Sequence, residues 1–279
     1  MTEGGRLKGL IMDWGGVLTA PLESAMSAWA ADEGVDLEHY RTVLRSWLGV
    51  PRAGAAEDGA AEGALESDRD TDRNTDRDTD RETDRQTDRR VARATPVLTD
   101  ATLADLEEAA DGGLGESSPV HRLERGELTP DQFEHELAAQ LALQGSTVQA
   151  AGLLGRLLGG LTTLDRDMLD LVRHARAAGV RTALLSNSWG DHYPDELWDG
   201  LFDAVVISGR VGMRKPDRAI FEHTAELLGL DPGECVMVDD LPPYVEAAVA
   251  AGMVGVRHVD YATTRDELEA LLGVSLHAG

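Results

Sequence analysis

Positive charge is scarce in this sequence. Its 279 residues include 26 Lys and Arg against 51 Asp and Glu, so the formal net charge is −25. Nucleic acids and anionic membranes are drawn to cationic surfaces, and a protein this acidic repels them. The charge balance therefore excludes non-specific binding to nucleic acid or to a membrane surface.

Cysteine, aromatic residues and long apolar runs are also rare. The one cysteine, Cys235, excludes an intrachain disulfide framework and fits a reducing compartment. Aromatic residues make up 4% of the chain, so the core must be built mainly from Leu, Val, Ala and Met. No run of about 18 uncharged apolar residues is present, and the apolar stretch after Lys8 stops at Asp13, too early for a signal peptide. These absences predict a soluble, cytoplasmic protein.

A four-residue repeat lies between Ser67 and Arg90. From Thr71 it reads TDRN, TDRD, TDRE, TDRQ and TDRR. In a helix its like charges would stack at i,i+4, which is destabilising, and the repeat has no apolar residue to bury. We therefore predict that residues 51–96 form a disordered, low-complexity insertion. A solvated insertion without function is the favoured interpretation, and a regulatory or partner-binding arm is the alternative.

The rest of the chain alternates between short apolar runs and helical patterns. The apolar runs are typical of strands buried on both faces and lie at residues 7–12, 180–185, 204–207, 235–238 and 254–257. Helical patterns occur between and after the later runs, at residues 165–178, 217–228, 245–251 and 264–272. This alternation predicts an α/β fold, a parallel sheet covered by helices on both faces.

The gap between the first two apolar runs is far too long for a loop, at about 165 residues. It has helical patterns at residues 22–33, 37–48, 102–110, 130–143 and 148–158. We therefore predict a second, helical domain inserted after the first strand.

Polar side chains follow four of the predicted strands at the point where each strand ends. These residues are Asp13, Ser186, Asn187, Lys215, Asp239 and Asp240. In an open parallel sheet, ligands bind in the crevice outside the carboxyl ends of the strands, so these groups are expected to converge. Carboxylates from separate strands repel unless a cation neutralises them, and oxygen ligands of this kind suit Mg²⁺. Ser, Asn and Lys supply donors for phosphate oxygens, and a neighbouring carboxylate can act as a nucleophile.

The ordered segments DWGGVL, LLSNSWGD, SGRVGMRKPD and VMVDDLPPYVEAA resemble the haloacid dehalogenase-like hydrolase superfamily. The similarity is to the branch with a helical cap between the first two motifs, and the stretch HRLERGEL at residues 121–128 is similar to a cap segment of that branch. The resemblance implies a Rossmann-like hydrolase core at residues 1–20 and 162–279. It implies a helical cap at residues 21–161, which contains the low-complexity insertion.

The resemblance also implies a role for each strand-end residue. Asp13 is then the nucleophile, Ser186 holds the transferring phosphoryl group, and Asn187 is a polar neighbour in the same loop. Lys215 neutralises charge on the nucleophile and the phosphate. Mg²⁺ is expected to bind Asp240, the Asp13 carboxylate and the backbone carbonyl of Gly15, with Asp239 as a second acidic neighbour. In-line phosphoryl transfer of this kind is catalysed chiefly by positioning and by cancelling charge.

Two positions depart from the family pattern. Most phosphatases of the family have a second Asp two residues after the nucleophile, as general acid and base, and this sequence has Gly15 there. General acid–base help is worth about 10²–10⁴-fold in rate, so a substrate with a low-pKa leaving group, such as an aryl, acyl or anomeric phosphate, suits this site best. Relatives usually have Asn or Asp four residues after the metal-binding Asp, where Tyr244 stands. Either Tyr244 or water must then brace the metal site.

These features predict a Mg²⁺-dependent phosphatase that acts on a small phosphorylated metabolite through an aspartyl-phosphate on Asp13. One alternative is a non-catalytic protein that binds phosphate or a metabolite, which Gly15 and Tyr244 favour and which the intact Asp13, Lys215 and Asp240 disfavour. The other is a 2-haloacid dehalogenase, which the paired acids Asp239 and Asp240 disfavour because that chemistry needs no Mg²⁺. Neither the substrate nor the oligomeric state is specified by any motif in the chain.

Overall fold

A computed structural model describes residues 7–48, 118–159, 163–190, 193 and 198–277 of the chain. The insertion predicted at residues 51–96 and the helix predicted at residues 102–110 lie outside these described residues. Within them, the sheet and the helical segment that follows its first strand belong to one compact unit.

A parallel sheet of five strands forms the centre of the described structure. The strands are β1 (Gly9–Met12), β2 (Arg181–Ser186), β3 (Ala204–Ile207), β4 (Cys235–Asp239) and β5 (Val254–Arg257), and their order in the sheet is β3-β2-β1-β4-β5. Parallel strands are buried on both faces, which explains their short, continuous apolar sequences. The α/β parallel-sheet prediction is therefore confirmed, with strand ends shifted by no more than two residues.

Strand β1 lies in the middle of the sheet and pairs with a neighbour on each side. Gly9 is in register with Arg181 of β2 and with Cys235 of β4, and Met12 is in register with Leu184 and Val238. The three strands therefore end close to one level, which places the residues that follow them at one edge of the sheet.

Helices cover both faces of the sheet. Helices α6 (Arg166–Ala177) and α10 (Tyr261–Leu272) pack with Leu10 and Met12 on one face. On the other face, α8 (Arg218–Leu228) and α9 (Pro242–Ala250) pack with Ile11 and the alternate residues of the neighbouring strands. A one-turn helix, α7 (Ser208–Val211), and a 3₁₀ turn at Pro232–Glu234 complete this part of the fold.

The segment after β1 is helical, as predicted. It contains α1 (Leu22–Glu33), α2 (Leu37–Leu48), α3 (Pro119–Glu124), α4 (Pro130–Gln144) and α5 (Leu153–Leu158). Its interior is apolar and includes Tyr40, Leu44, Phe133, Leu137 and Leu153, all nearly inaccessible. An antiparallel bridge between Thr19 and Leu164 brings the two ends of the segment together.

Some helix boundaries differ from the predictions for local reasons. Helix α5 begins at Leu153 rather than at residue 148. Gly152 has a left-handed conformation with φ of 71°, so the right-handed helix can begin only at the next residue. Helix α10 begins earlier than predicted, at Tyr261, because the Asp260 side chain caps it by accepting a hydrogen bond from the Thr263 N–H. Among the described residues, no helix is long and apolar enough to cross a bilayer.

Candidate active site

The carboxyl ends of β1 and β4 place two acids side by side. Asp13 directly follows β1, and its N–H donates to the carbonyl oxygen of Val238 in β4 over 3.0 Å. Asp239 is the last residue of β4 and is completely buried, and Asp13 is buried as well. The parallel register of β1 and β4 therefore places these two residues next to each other.

Lys215 joins the two acids. Its Nζ lies 2.6 Å from Oδ1 of Asp13 and 2.6 Å from Oδ2 of Asp239, although the lysine is only 1% exposed. Burial alone would lower the pKa of Lys215, but the charges of Asp13 and Asp239 and the hydrogen bonds to them raise it well above its usual value. Lys215 is therefore a permanent positive charge against the side chain of Asp13.

Asp239 and Asp240 have different environments. Both oxygens of Asp239 accept hydrogen bonds, one from Lys215 and the other from the N–H of Leu241 at 3.0 Å. Asp240 is partly accessible, and its carboxylate lies over the backbone of Gly16. Burial, followed by the negative charges of Asp13 and Asp239, raises the pKa of Asp240 to about 8. A carboxyl group with a raised pKa is stabilised by a bound cation or by protonation.

The three acids form a cluster of the right chemistry for a divalent cation. One oxygen each from Asp13, Asp239 and Asp240 lies within 4.8 Å of the others. Hard carboxylate oxygens are the ligands that Mg²⁺ prefers. Lys215 supplies a single positive charge for three acids, so with all three ionised an excess of negative charge remains, which a divalent ion would offset. The residues present therefore fit a magnesium site, and the sequence-predicted acids meet as expected.

Gly15 and Gly16, two and three residues after Asp13, have opposite surroundings. A Cβ added to Gly15 would meet no atom within 4 Å, and the φ angle of Gly15 is not positive. At Gly16 the φ angle is +75°, and a Cβ would lie 2.3 Å from Oδ2 of Asp240. Gly16 is thus needed for the close approach of Asp240, whereas the space beside Gly15 is open. The predicted role of the Gly15 carbonyl as a metal ligand stays a prediction.

Ser186 ends β2 and contacts an aromatic cluster. Its hydroxyl lies 2.9 Å from the hydroxyl of Tyr193, whose ring packs against Trp14 and Trp198 with centroid distances of 5.8 and 5.5 Å. Burial raises the pKa of Tyr193, so this phenol remains neutral and can donate a hydrogen bond. Ser186 therefore lies at the predicted strand end, with a hydroxyl partner that sequence reasoning did not assign to it.

Asn187 and Tyr244 hold the backbone and side chain of Lys215. The Asn187 side chain accepts from the Lys215 N–H at 2.8 Å and donates to the Lys215 carbonyl at 3.0 Å. It also donates to the hydroxyl of Tyr244 at 3.2 Å, and the Lys215 Nζ lies 4.8 Å from the centre of the Tyr244 ring. In this structure Asn187 orients the lysine, and Tyr244 contacts the lysine side of the site.

Sequence reasoning missed a buried ion pair next to Lys215. Arg214 binds Glu124, the last residue of α3, and both side chains are buried. The position of Arg214 directly before Lys215 was one available signal, and the other was the placement of Glu124 in the HRLERGEL stretch. Neither residue reveals its partner, because 90 residues separate them.

A cavity of about 710 Å³ opens beside the acidic cluster. Asp240 lines it, together with Gly16 and Leu241. The remaining lining residues are 19–21 and 163–165, at the two ends of the helical segment, and 257–261, from the last residue of β5 onward. This volume is within the range typical of small-molecule sites.

Comparison with known proteins gives the context for this geometry. A family model described as haloacid dehalogenase-like hydrolase matches residues 7–252. The sesquiterpene phosphatase astK of Aspergillus oryzae is 34% identical over 180 residues, 63% of this chain and 87% of that protein. The N-acylneuraminate-9-phosphatase of Rattus norvegicus is 33% identical over 96 residues, 33% of this chain and 38% of that protein. The crystal structure of a dehalogenase aligns over 95% of this chain and 97% of its own, with a TM-score of 0.51 and 17% identity, a likeness of fold alone.

Proposed function

The chain belongs to the haloacid dehalogenase-like hydrolases, and from this premise we propose that it is a Mg²⁺-dependent phosphatase of a small phosphorylated metabolite. The observation that carries the proposal is the ion cluster at the ends of β1 and β4. In it a buried lysine contacts the Asp13 carboxylate while a second and third acid lie within metal-binding distance. Phosphatases among its relatives support the same reaction class.

Asp13 is the nucleophile in this proposal. A carboxylate oxygen of Asp13 attacks phosphorus, a bond forms between them, and the bond from phosphorus to the leaving oxygen breaks with its electron pair. Water then attacks the phosphorus of the aspartyl-phosphate, which releases inorganic phosphate and restores the carboxylate. Lys215 stays protonated throughout and offsets the negative charge of Asp13 and of the phosphoryl oxygens.

The remaining residues orient the phosphoryl group. In the proposal the Ser186 hydroxyl, which is hydrogen-bonded to Tyr193, donates to a phosphoryl oxygen. Asn187 fixes the backbone of Lys215. Asp13 and Asp240 are the proposed metal ligands together with the Gly15 carbonyl, and Asp239, whose oxygens already accept two hydrogen bonds, serves as the acidic neighbour that holds Lys215. A bound Mg²⁺ supplies charge neutralisation for the phosphoryl oxygens.

The open space at Gly15 limits the substrate. No carboxyl group at this position can protonate the leaving oxygen, so leaving groups of low pKa, as in aryl, acyl or anomeric phosphates, are favoured. We propose that the organic part of the substrate lies in the cavity beside Asp240, between the sheet and the ends of the proposed helical cap, residues 21–161. A substrate panel should include a sesquiterpenyl phosphate and N-acylneuraminate 9-phosphate, the groups named for the two relatives.

The proposal is tested with an activated aryl phosphate and with acetyl phosphate, with Mg²⁺ and with chelator. We expect hydrolysis that needs the metal and that falls at least about 10³-fold in Asp13→Asn. Asp167→Asn, an exposed acid on α6, is the matched control and should keep wild-type activity. When acetyl phosphate is radiolabelled on phosphorus, the label should stay on the acid-quenched wild-type protein, as the aspartyl-phosphate, and not on Asp13→Asn. Activity that survives Asp13→Asn, or that ignores metal removal, contradicts the proposal.

A second candidate function is non-catalytic binding of a phosphorylated metabolite, which the absence of an acid at Gly15 favours. The same experiment separates the two. Saturable binding of inorganic phosphate with no turnover on any substrate of the panel would identify a binding protein.

A further inference from the structure

A buried carboxylate in the helical segment contacts two core loops. Glu124 ends α3 and is 1% exposed. One of its oxygens accepts from the indole Nε1 of Trp189 at 3.0 Å, and the other accepts from Nε of Arg214 at 2.6 Å. A single side chain therefore joins three parts of the chain that are distant in sequence.

The two donors belong to the loops that carry catalytic candidates. Trp189 lies three residues after Ser186, in the loop that follows β2, and Arg214 directly precedes Lys215, in the loop that follows β3 and α7. The Lys215 Nζ sits 2.6 Å from two carboxylates, so a small rotation of the Arg214–Lys215 backbone would break at least one of these contacts.

The backbone around Glu124 also rests directly on the core. A Cβ added to Gly126 would lie 2.6 Å from the carbonyl oxygen of Gly209, and one added to Gly209 would lie 2.8 Å from Oγ of Ser188. The ring of Phe133 in α4 packs on Trp189 at a centroid distance of 5.9 Å. These contacts pack the chain around Glu124 closely against the core loops.

Stability alone does not account for this arrangement. A buried ion pair contributes little net stability compared with apolar residues of the same size, because both charges lose their hydration. Its distinctive property is direction, since each oxygen of the carboxylate fixes one donor in place. A directional contact is useful where a neighbouring group, here Lys215, must be held within a fraction of an ångström.

We propose that Glu124 is a positioning residue that sets the Lys215 and Ser186 loops in their catalytic geometry when the helical segment is docked on the core. This inference rests on the proposed function. It makes the inserted segment part of the active site, because the core alone lacks the carboxylate that holds Arg214 and Trp189.

The test uses Glu124→Gln, which keeps the size of the side chain and loses one of the two acceptor oxygens. Glu127→Gln is the matched control, because Glu127 lies in the same segment and pairs with Arg125 at the surface. For an aryl phosphate we expect kcat to fall about 10²-fold in Glu124→Gln with KM nearly unchanged. In Glu127→Gln both constants should stay within about twofold of wild type, as for other surface ion pairs.

Hydrogen exchange gives a second measurement that does not depend on activity. The Ser188 N–H binds Oγ of Ser208, and the Lys215 N–H binds Asn187, so both amides report the order of these loops. Their exchange should be at least about tenfold faster in Glu124→Gln and unchanged in Glu127→Gln. If Glu124→Gln does not fold, Trp189→Phe removes the indole donor to Glu124 and keeps a smaller aromatic ring beside Phe133, and it should give smaller changes of the same kind in kcat and in exchange.

Each outcome has a separate meaning. Unchanged exchange overturns the inference, and so does faster exchange with unchanged kcat, which would make Glu124 a structural residue only. If the wild-type protein hydrolyses no phosphate, the proposed function fails, while the exchange data still decide whether Glu124 orders the two loops.

Discussion

The two sides of Asp13, one facing Lys215 and the other near Gly15, differ sharply in how many polar groups they contain. On the lysine side, Lys215 contacts Asp13 and Asp239 and is held by Asn187, and every one of these groups has a defined partner. On the glycine side, the position that carries an acid in most phosphatases of the family is Gly15, with open space around it. The lysine side of Asp13 is thus fully paired, whereas no acid stands in the space beside Gly15.

This difference separates two contributions to catalysis that usually occur together, charge neutralisation and proton transfer. Charge neutralisation by preorganised groups stabilises the transition state whatever the leaving group is. Proton transfer matters most when the leaving oxygen is a poor one. A site with only the first contribution should therefore discriminate between substrates by leaving-group pKa, even without contacts that recognise their shape.

The largest expected effect comes from supplying the absent acid with Gly15→Asp. The structure has room for the side chain, and the backbone at Gly15 does not require glycine. We expect hydrolysis of an alkyl phosphate such as glycerol phosphate to rise about 10²-fold, and hydrolysis of an aryl phosphate to change by less than about threefold. Steady-state kinetics with both substrates provides the measurement.

Gly15→Asn is the control for this substitution, because it has the same shape and cannot donate a carboxyl proton. It should leave both rates near wild type. Equal acceleration of alkyl and aryl phosphates by Gly15→Asp would refute the view that the glycine side lacks only an acid.

A smaller effect, on the free energy of unfolding, is expected when Gly16→Ala is compared with Gly15→Ala. At Gly16 an alanine must adopt a left-handed conformation and overlap the Asp240 carboxylate, so we expect a loss of about 2 kcal/mol in the free energy of unfolding. Gly15→Ala should change it by less than about 0.5 kcal/mol. Urea unfolding of both variants with chelator tests this pair. Similar losses in the two variants would mean that the close approach of Asp240 to Gly16 is not a constraint.

The smallest effect concerns the pH dependence of stability in the metal-free protein. Burial and neighbouring carboxylates raise the pKa of Asp240 from an ordinary value of 3.8 to about 8. Between these values the folded protein binds a proton that the unfolded chain releases, so the free energy of unfolding falls as pH rises. The expected slope from this group is about 1 kcal/mol per pH unit.

Asp240→Asn removes this titrating group and keeps every other titrating side chain of wild type. Between about pH 6 and about pH 7.5, wild type should lose more stability than Asp240→Asn, as measured by urea unfolding in chelator. Added Mg²⁺ should reduce the loss in wild type only. Parallel pH profiles for the two proteins would show that Asp240 titrates at its ordinary pKa.

Much of the fold was predictable because local sequence and sheet geometry agree. The apolar runs at residues 204–207 and 254–257 became β3 and β5 with the same bounds, since strands buried on both faces need continuous apolar residues. The site acids were predictable for the related reason that parallel strands end at one edge. The proximity of Asp13 and Asp239 could be predicted from their positions alone, directly after β1 and at the end of β4.

The less predictable features depend on contacts between segments far apart in the chain. The pairing of Glu124 with Arg214 has no local signature, because either residue could equally face solvent. Asn187, predicted only as a polar neighbour in the Ser186 loop, makes two hydrogen bonds to the backbone of Lys215 and so supports the lysine. The open space at Gly15 depends on which atoms surround it, which no spacing rule specifies.

The central place of β1 has a consequence for how this protein can move. A strand with paired neighbours on both sides and four buried residues should be among the last parts of the chain to exchange its amide hydrogens. Asp13 is attached to that strand, whereas Lys215 and the residues around it belong to loops. Thermal fluctuations in the native state should therefore change the distance between the two charges almost entirely by displacing the lysine, while the carboxylate stays fixed as the reference point of the site.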